Sequence, residues 1–206
     1  LGWSSQQFAE RGRGFSFLKD EELDMRYAGG QTAEFGFQTA AELMDNAIPD
    51  ELEQIFREYG QEELSQEISE AIVNKRKQIK IERTGQLVEI ILEVYRKKLK
   101  TTKTIPWVGG LHPATKVFQA LRIAINHELQ AVEMVLPQAV NVLESGGRLA
   151  VITFHSLEDR IVKHWFKGQD GKTVSLVTKK PIECGEEERA INPRAHSAKL
   201  RVVSKL

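Results

Sequence analysis

The densest chemistry in this 206-residue chain lies in Phe154-His155-Ser156-Leu157-Glu158-Asp159-Arg160. A histidine titrates near neutrality, so His155 could accept or donate a proton, or serve only as a turn residue packed under Phe154. Ser156 and Asp159 stand at the spacing of a helix cap, which is the simplest reading of that pair. Arg194, His196, Lys199 and Arg201 make a basic segment without nearby acids, which suits either a solvated face or contact with phosphates. Two further basic clusters are Lys75, Arg76, Lys77, Lys80 and Arg83, and then Arg96, Lys97, Lys98, Lys100 and Lys103. No set of His, Cys, Asp and Glu has convincing metal spacing, so no metal is expected.

Certain elements must position these residues. Leu149 to Phe154 is apolar apart from Thr153 and rich in β-branched residues, as in a strand buried on both faces of a parallel sheet. His155-Ser156 then falls at its carboxyl end, where open α/β sheets collect ligands. Ile161, Val162, Trp165 and Phe166 give the following segment an apolar helical face. Upstream, Thr39 with Glu42 and Asp50 with Glu53 are capping signals, Gly60 is a stop, and Thr84 caps another helix. Residues 39–100 therefore read as four short amphipathic helices with no strand among them. After a linker at 101–113, a strongly periodic helix runs from Phe118 to Leu136, and Pro137 starts a second piece ended by Gly146-Gly147. Strands are expected near 173–178 and 199–203, around a loop at 182–197. Residues 1–38 read mostly as loop, with enough aromatics to pack onto a neighbouring domain.

Composition bounds the class. Hydrophobic residues make up 41% and charged residues 28%, which is ordinary for a globular protein. Basic and acidic residues balance at 29 each, so any nucleic-acid partner must be held by local patches. Cys184 is the single cysteine, which excludes an intramolecular disulfide and fits a reducing, cytoplasmic setting. No apolar run approaches membrane-spanning length. Three strands are too few for a complete doubly wound domain, and residue 1 is not methionine; a sheet half upstream of Leu1 is the favoured expectation.

Seven segments carry a resemblance. They are Leu-Gly-Trp-Ser-Ser-Gln-Gln (1–7), Arg13 to Phe17, Leu-Asp-Met-Arg (23–26), Ile-Phe-Arg-Glu-Tyr-Gly (55–60), His-Pro-Ala-Thr-Lys-Val-Phe-Gln-Ala-Leu-Arg-Ile (112–123), Phe154 to Arg160, and Asn-Pro-Arg-Ala-His-Ser-Ala-Lys-Leu-Arg (192–201). In this order the chain resembles the bacterial small-subunit (16S) ribosomal RNA cytosine-N4 methyltransferases. The resemblance implies the C-terminal part of a Rossmann-like class I methyltransferase sheet with an inserted all-helical subdomain. Residues 1–20 would end the fourth strand and form an active-site loop, 21–111 would be the insertion with its flanking loops, and 112–206 the return to the sheet. It also implies S-adenosyl-L-methionine as methyl donor and the RNA of the small ribosomal subunit as partner, with a homodimer left open. The family's glycine-rich cofactor turn, an acidic ribose ligand and an aspartate before Leu1-Gly2 have no counterpart here, so the chain looks like the C-terminal two-thirds of the enzyme. Trp3, Gln6 and Phe8 also depart from the family pattern.

On this resemblance Gln7 matches a cofactor-contacting position. Ser4 and Ser5 would accept the amine protons of the target base, which in-line methyl transfer requires to be held in place. His155 would touch the extruded cytosine or take its proton, while Ser156 would face the substrate. Arg194, Ser197, Lys199 and Arg201 would contact RNA, with Phe15, Phe17 and Trp107 as stacking candidates. The rival readings are a non-catalytic RNA-binding remnant and an enzyme methylating amines in DNA. Arg122 and Asn126, one helical turn apart, are expected to form a buried hydrogen-bond pair bracing the insertion.

Overall fold

The computed structural model describes residues 12–27, 38–103, 105 and 110–206. The chain forms two compact units, Ser4–His127 and a second made of Leu1–Trp3 with Glu128–Leu206. Segment 112–127 groups by compactness with the helical unit.

The helical unit contains α1 (Ala40–Asn46), α2 (Pro49–Glu58), α3 (Ser65–Arg76), α4 (Thr84–Leu99) and α5 (Thr115–Ile125). The four helices read from the sequence between 39 and 100 are present, and their starts show which local signals count. Thr39 and Glu42 form the reciprocal cap of α1, as expected. At α2, Pro49 occupies the first turn and Ile48 is the cap position, with Glu51 rather than Glu53 reaching back to its N–H. Thr84 does not cap α4 but begins it. Its hydroxyl donates to the Lys19 carbonyl at 2.6 Å and accepts from the Glu21 N–H at 2.9 Å, fastening the 19–21 segment to the helix.

Met44, Leu52, Phe56, Ile68, Leu87 and Leu121 are fully buried in this unit. Leu23 and Met25 are as deeply buried, so this part of the segment read as loop contributes to the core. Gly60 is placed by a close approach of backbones. A Cβ there would lie 2.6 Å from the Phe56 carbonyl oxygen and 2.7 Å from that of Lys116. Gly60→Ala is therefore expected to lower the unfolding free energy by about 1–3 kcal/mol, measured by urea denaturation.

The second unit contains α6 (Glu128–Asn141), β1 (Arg148–Thr153), α7 (Ser156–Gln169), β2 (Val174–Leu176), β3 (Ile182–Glu183), α8 (Glu186–Ile191), a 3-10 turn (Pro193–Ser197) and β4 (Lys199–Lys205). The helical break expected at Pro137 falls instead at Asn126-His127, where His127 has a φ of 49°. Pro137 is tolerated inside α6. β4 is the central strand, pairing antiparallel with β1 along its length and with β2 and β3 on its other side. The expected parallel pairing of the 149–154 strand is thus absent among the described residues. Nor is β1 buried on both faces: Val151 and Thr153 point into the core while Ala150 and Ile152 are exposed. Val132, Leu136 and Val140 of α6, Val162 and Phe166 of α7, and Val151, Val174 and Val203 of the sheet form that core. The coarse class is mixed α/β with an antiparallel sheet. β3 and α8 occupy the stretch read as loop, because two residues of pairing and one short acidic helix give little periodic signal.

Candidate functional site

The turn between β1 and α7 is where the sequence placed its chemistry. The cap of α7 is His155, not Ser156: its Nδ1 accepts the Glu158 N–H at 3.4 Å, with φ −138° and ψ 164°. Ser156 is the first helical residue and is exposed. The sequence reading gives Ser156 with Asp159 as the cap; the structure uses the pair one residue earlier, His155 with Glu158, at the same spacing.

The structure takes this earlier pair because Glu158 also closes the turn. Its Oε2 accepts the Phe154 N–H at 3.0 Å, and its Oε1 lies 3.3 Å from His155 Nε2. Burial pushes the Glu158 carboxyl up, but His155 and the Phe154 amide outweigh it and hold the group below its ordinary value. Because Nδ1 of His155 is an acceptor, the neutral ring carries its proton on Nε2. Proton acceptance at Nδ1 would give up the helix cap. Glu128, at the start of α6, brings a carboxylate oxygen within 4.8 Å of the ligand atoms of His155 and Glu158. These three types could hold a metal, but a protonated Nε2 has no lone pair to give, and a metal-bound histidine normally donates from its other nitrogen.

Behind the turn lies Asp159. Arg201 of β4 meets it with both arms, Nε to Oδ1 at 2.7 Å and Nη2 to Oδ2 at 2.9 Å. Both residues are buried, at 7% and 8% exposure. The Arg201 guanidinium holds the Asp159 carboxyl below its ordinary value against the opposing effect of burial. Arg201 was expected on RNA; its fork is instead committed to an internal carboxylate. Alternation along β4 explains this, since Arg201 and Val203 face inward.

The other basic-tail residues differ from it. Lys199 is half exposed, with Nζ 4.0 Å from Glu183 across the β3–β4 pair. Ser197 ends the 3-10 turn and is exposed, and Arg194 lies within the same turn. Ser4, Ser5, Gln7 and Trp107 fall outside the described residues.

In the helical unit, Phe15 and Phe17 pack within the protein. Phe15 is buried, stacked on Tyr27 at 5.7 Å with the Arg13 guanidinium 5.6 Å from its centroid. It is not a free platform for a base. Phe17 lies parallel to the His112 ring at 4.6 Å and edge-on to Phe118 at 5.7 Å. Burial lowers the pKa of His112, whose Nδ1 accepts the Ala114 N–H at 3.1 Å. Asn126 braces this region. Its side-chain amide donates to the carbonyls of Met25 and Arg122, and its oxygen accepts the Tyr27 N–H. That matches the brace read from Arg122 and Asn126, although the partner is the Arg122 carbonyl rather than its side chain. The brace holds Met25 at a φ of 60°, a conformation a non-glycine residue keeps only when its surroundings fix it.

Sequence reasoning missed Glu158 as the residue that closes the turn, and the Asp159–Arg201 pair behind it. The only signal was the spacing of acids after His155.

Comparison with known proteins places this arrangement. A family model described as the MraW methylase family matches residues 1–206. A protein of Pelobacter propionicus named ribosomal RNA small subunit methyltransferase H is 43% identical, covering 100% of this chain and 67% of its own length. Proteins of the same name from Persephonella marina (42%, covering 100% of this chain and 66% of the relative) and Synechocystis (44%, covering 100% and 62%) are similar. The chain spans between 60% and 68% of the length of such relatives. With every residue from 1 to 206 inside the match, the chain belongs to the MraW methylase family.

Proposed function

We propose that this chain is the C-terminal part of an S-adenosylmethionine-dependent methyltransferase that modifies the exocyclic N4 amine of a cytosine in small-subunit ribosomal RNA. The observation that carries the reading is the match to the family over the whole chain, together with relatives named as small-subunit ribosomal RNA methyltransferases. The antiparallel sheet, with a block of helices upstream of β1, is consistent with the C-terminal part of a Rossmann-like methyltransferase fold. The setting proposed is the cytoplasm; no helix among the described residues is long and apolar enough to cross a membrane. A homodimer is not part of the proposal.

Among the described residues, S-adenosylmethionine finds no fitting cradle. The strand-to-helix turn after β1 has no glycine, and its amides at Phe154 and Glu158 are already taken by Glu158 and His155. Gln7 is its proposed contact. The roles proposed for this chain are to hold and orient the base. Ser4 and Ser5 accept the amine protons, and the His155-Ser156 turn supports the extruded cytosine. The RNA backbone would lie on the half-exposed Lys199 in the second unit and on the exposed Lys97, Lys100 and Lys103 in the helical unit; these last three make no ion pair among the described residues.

The test is to incubate the full-length protein and S-adenosylmethionine with intact small subunits, free ribosomal RNA and DNA, then digest and identify the modified nucleoside by mass spectrometry. N4-methylcytidine in the ribosomal substrates alone is the expected result. RNA binding without methyl transfer would support the non-catalytic reading, and methylated DNA would support the other rival.

A further inference from the structure

The two segments that supply most of the candidate residues of the second unit, 153–160 and 192–201, meet at one buried point. Thr153 ends β1, Asp159 lies in the first turns of α7, and Arg201 projects inward from β4. The Thr153 hydroxyl stands 3.5 Å from Asp159 Oδ1 and 3.4 Å from the Lys199 carbonyl oxygen, and it is 1% exposed. Arg201 closes on the same carboxylate with two parallel bonds. The exposed turn Phe154–Ser156 therefore has both its ends anchored to a single carboxylate–guanidinium pair.

We propose that Asp159 and Arg201 position the Phe154–Ser156 turn, so that Arg201 acts on the reaction through the turn and not by touching RNA. This rests on the methyltransferase reading above. A buried ion pair is a weak source of net stability, since charges are costly to desolvate and an apolar pair of similar volume often serves as well. What a bidentate pair supplies is direction: two parallel bonds fix distance and angle together, which neither lysine nor an apolar contact reproduces. Its place at the root of the turn is where such direction matters. The strand pairing holds the rest of the sheet without it, through the ladder from Arg148↔Ser204 to Thr153↔Lys199. Glu158 ties the turn through the Phe154 amide, and Asp159 ties it through the Thr153 hydroxyl.

The experiment uses the paired substitution Asp159→Leu with Arg201→Met, which removes both charges together, and the milder Arg201→Lys. In hydrogen exchange by mass spectrometry on this chain, amides of residues 154–159 should exchange roughly tenfold faster or more in the paired variant. The β1–β4 ladder should keep its protection. Unchanged exchange in the turn, or equal loss from turn and ladder, overturns the proposal. In the full-length protein, both variants should lose turnover, by about 100-fold for the paired one, while KM for the subunit stays within about threefold. A raised KM with turnover kept would make Arg201 an RNA contact and also overturn it. Should the wild-type protein transfer no methyl group, the methyltransferase reading falls, and the exchange result alone decides whether the pair positions the turn.

Discussion

Arg201→Ala will lower the unfolding free energy by about 3–5 kcal/mol at neutral pH, because it leaves the Asp159 carboxylate buried without its partner. The loss exceeds that expected for an exposed ion pair such as Arg57–Glu53, which is worth well under about 1 kcal/mol. Its pH dependence follows from the direction of the Asp159 shift. The folded pKa lies below the ordinary 3.8, so the stabilisation is present above the unfolded pKa and is lost as pH falls through the folded one. In the alanine variant the unpaired carboxyl is relieved by protonation instead. Urea unfolding of both proteins at pH 7 and below about pH 3 should show the gap close as the solution is acidified. A gap independent of pH would mean that Arg201 contributes through packing alone.

Phe56→Ala will cost the helical unit about 3–5 kcal/mol, the usual range for an aromatic side chain removed from a close-packed core. Phe56 is fully buried, and its carbonyl accepts the N–H groups of Gly60 and Glu62, so the chain leaving α2 is tied to the same residue. The cavity cannot collapse easily, because Gly60 already lets the backbone at Lys116 approach as near as it can. The shift should appear in urea unfolding and in hydrogen exchange as lost protection across α2, α3 and α5. Phe56→Leu, which keeps most of the volume, should recover more than half of the loss. Equal losses for both variants would point to disrupted backbone geometry in place of a cavity.

The sequence by itself determined the local elements and the family. Periodicity set the four helices between 39 and 100, because the apolar stripe of an amphipathic helix is written in consecutive residues. Thr39 with Glu42 gave one helix start correctly, since every atom of that cap lies within one turn. The β-branched run before His155 marked a strand, and the glycine pair before it marked a stop. Seven ordered motifs gave the resemblance that the comparisons then showed.

The tertiary structure decided everything that depends on a distant partner. Whether the 149–154 strand runs parallel or antiparallel to its neighbour cannot be read from its own residues; β4, some fifty residues on, supplies that. The break at His127 is set by Asn126 bonding to Met25 and Tyr27, about a hundred residues earlier in the chain. Arg201 in sequence is one more cation in a basic tail. Only the inward phase of β4 and the position of α7 turn it onto Asp159, because a charge reveals its partner only once the fold has chosen which face it occupies.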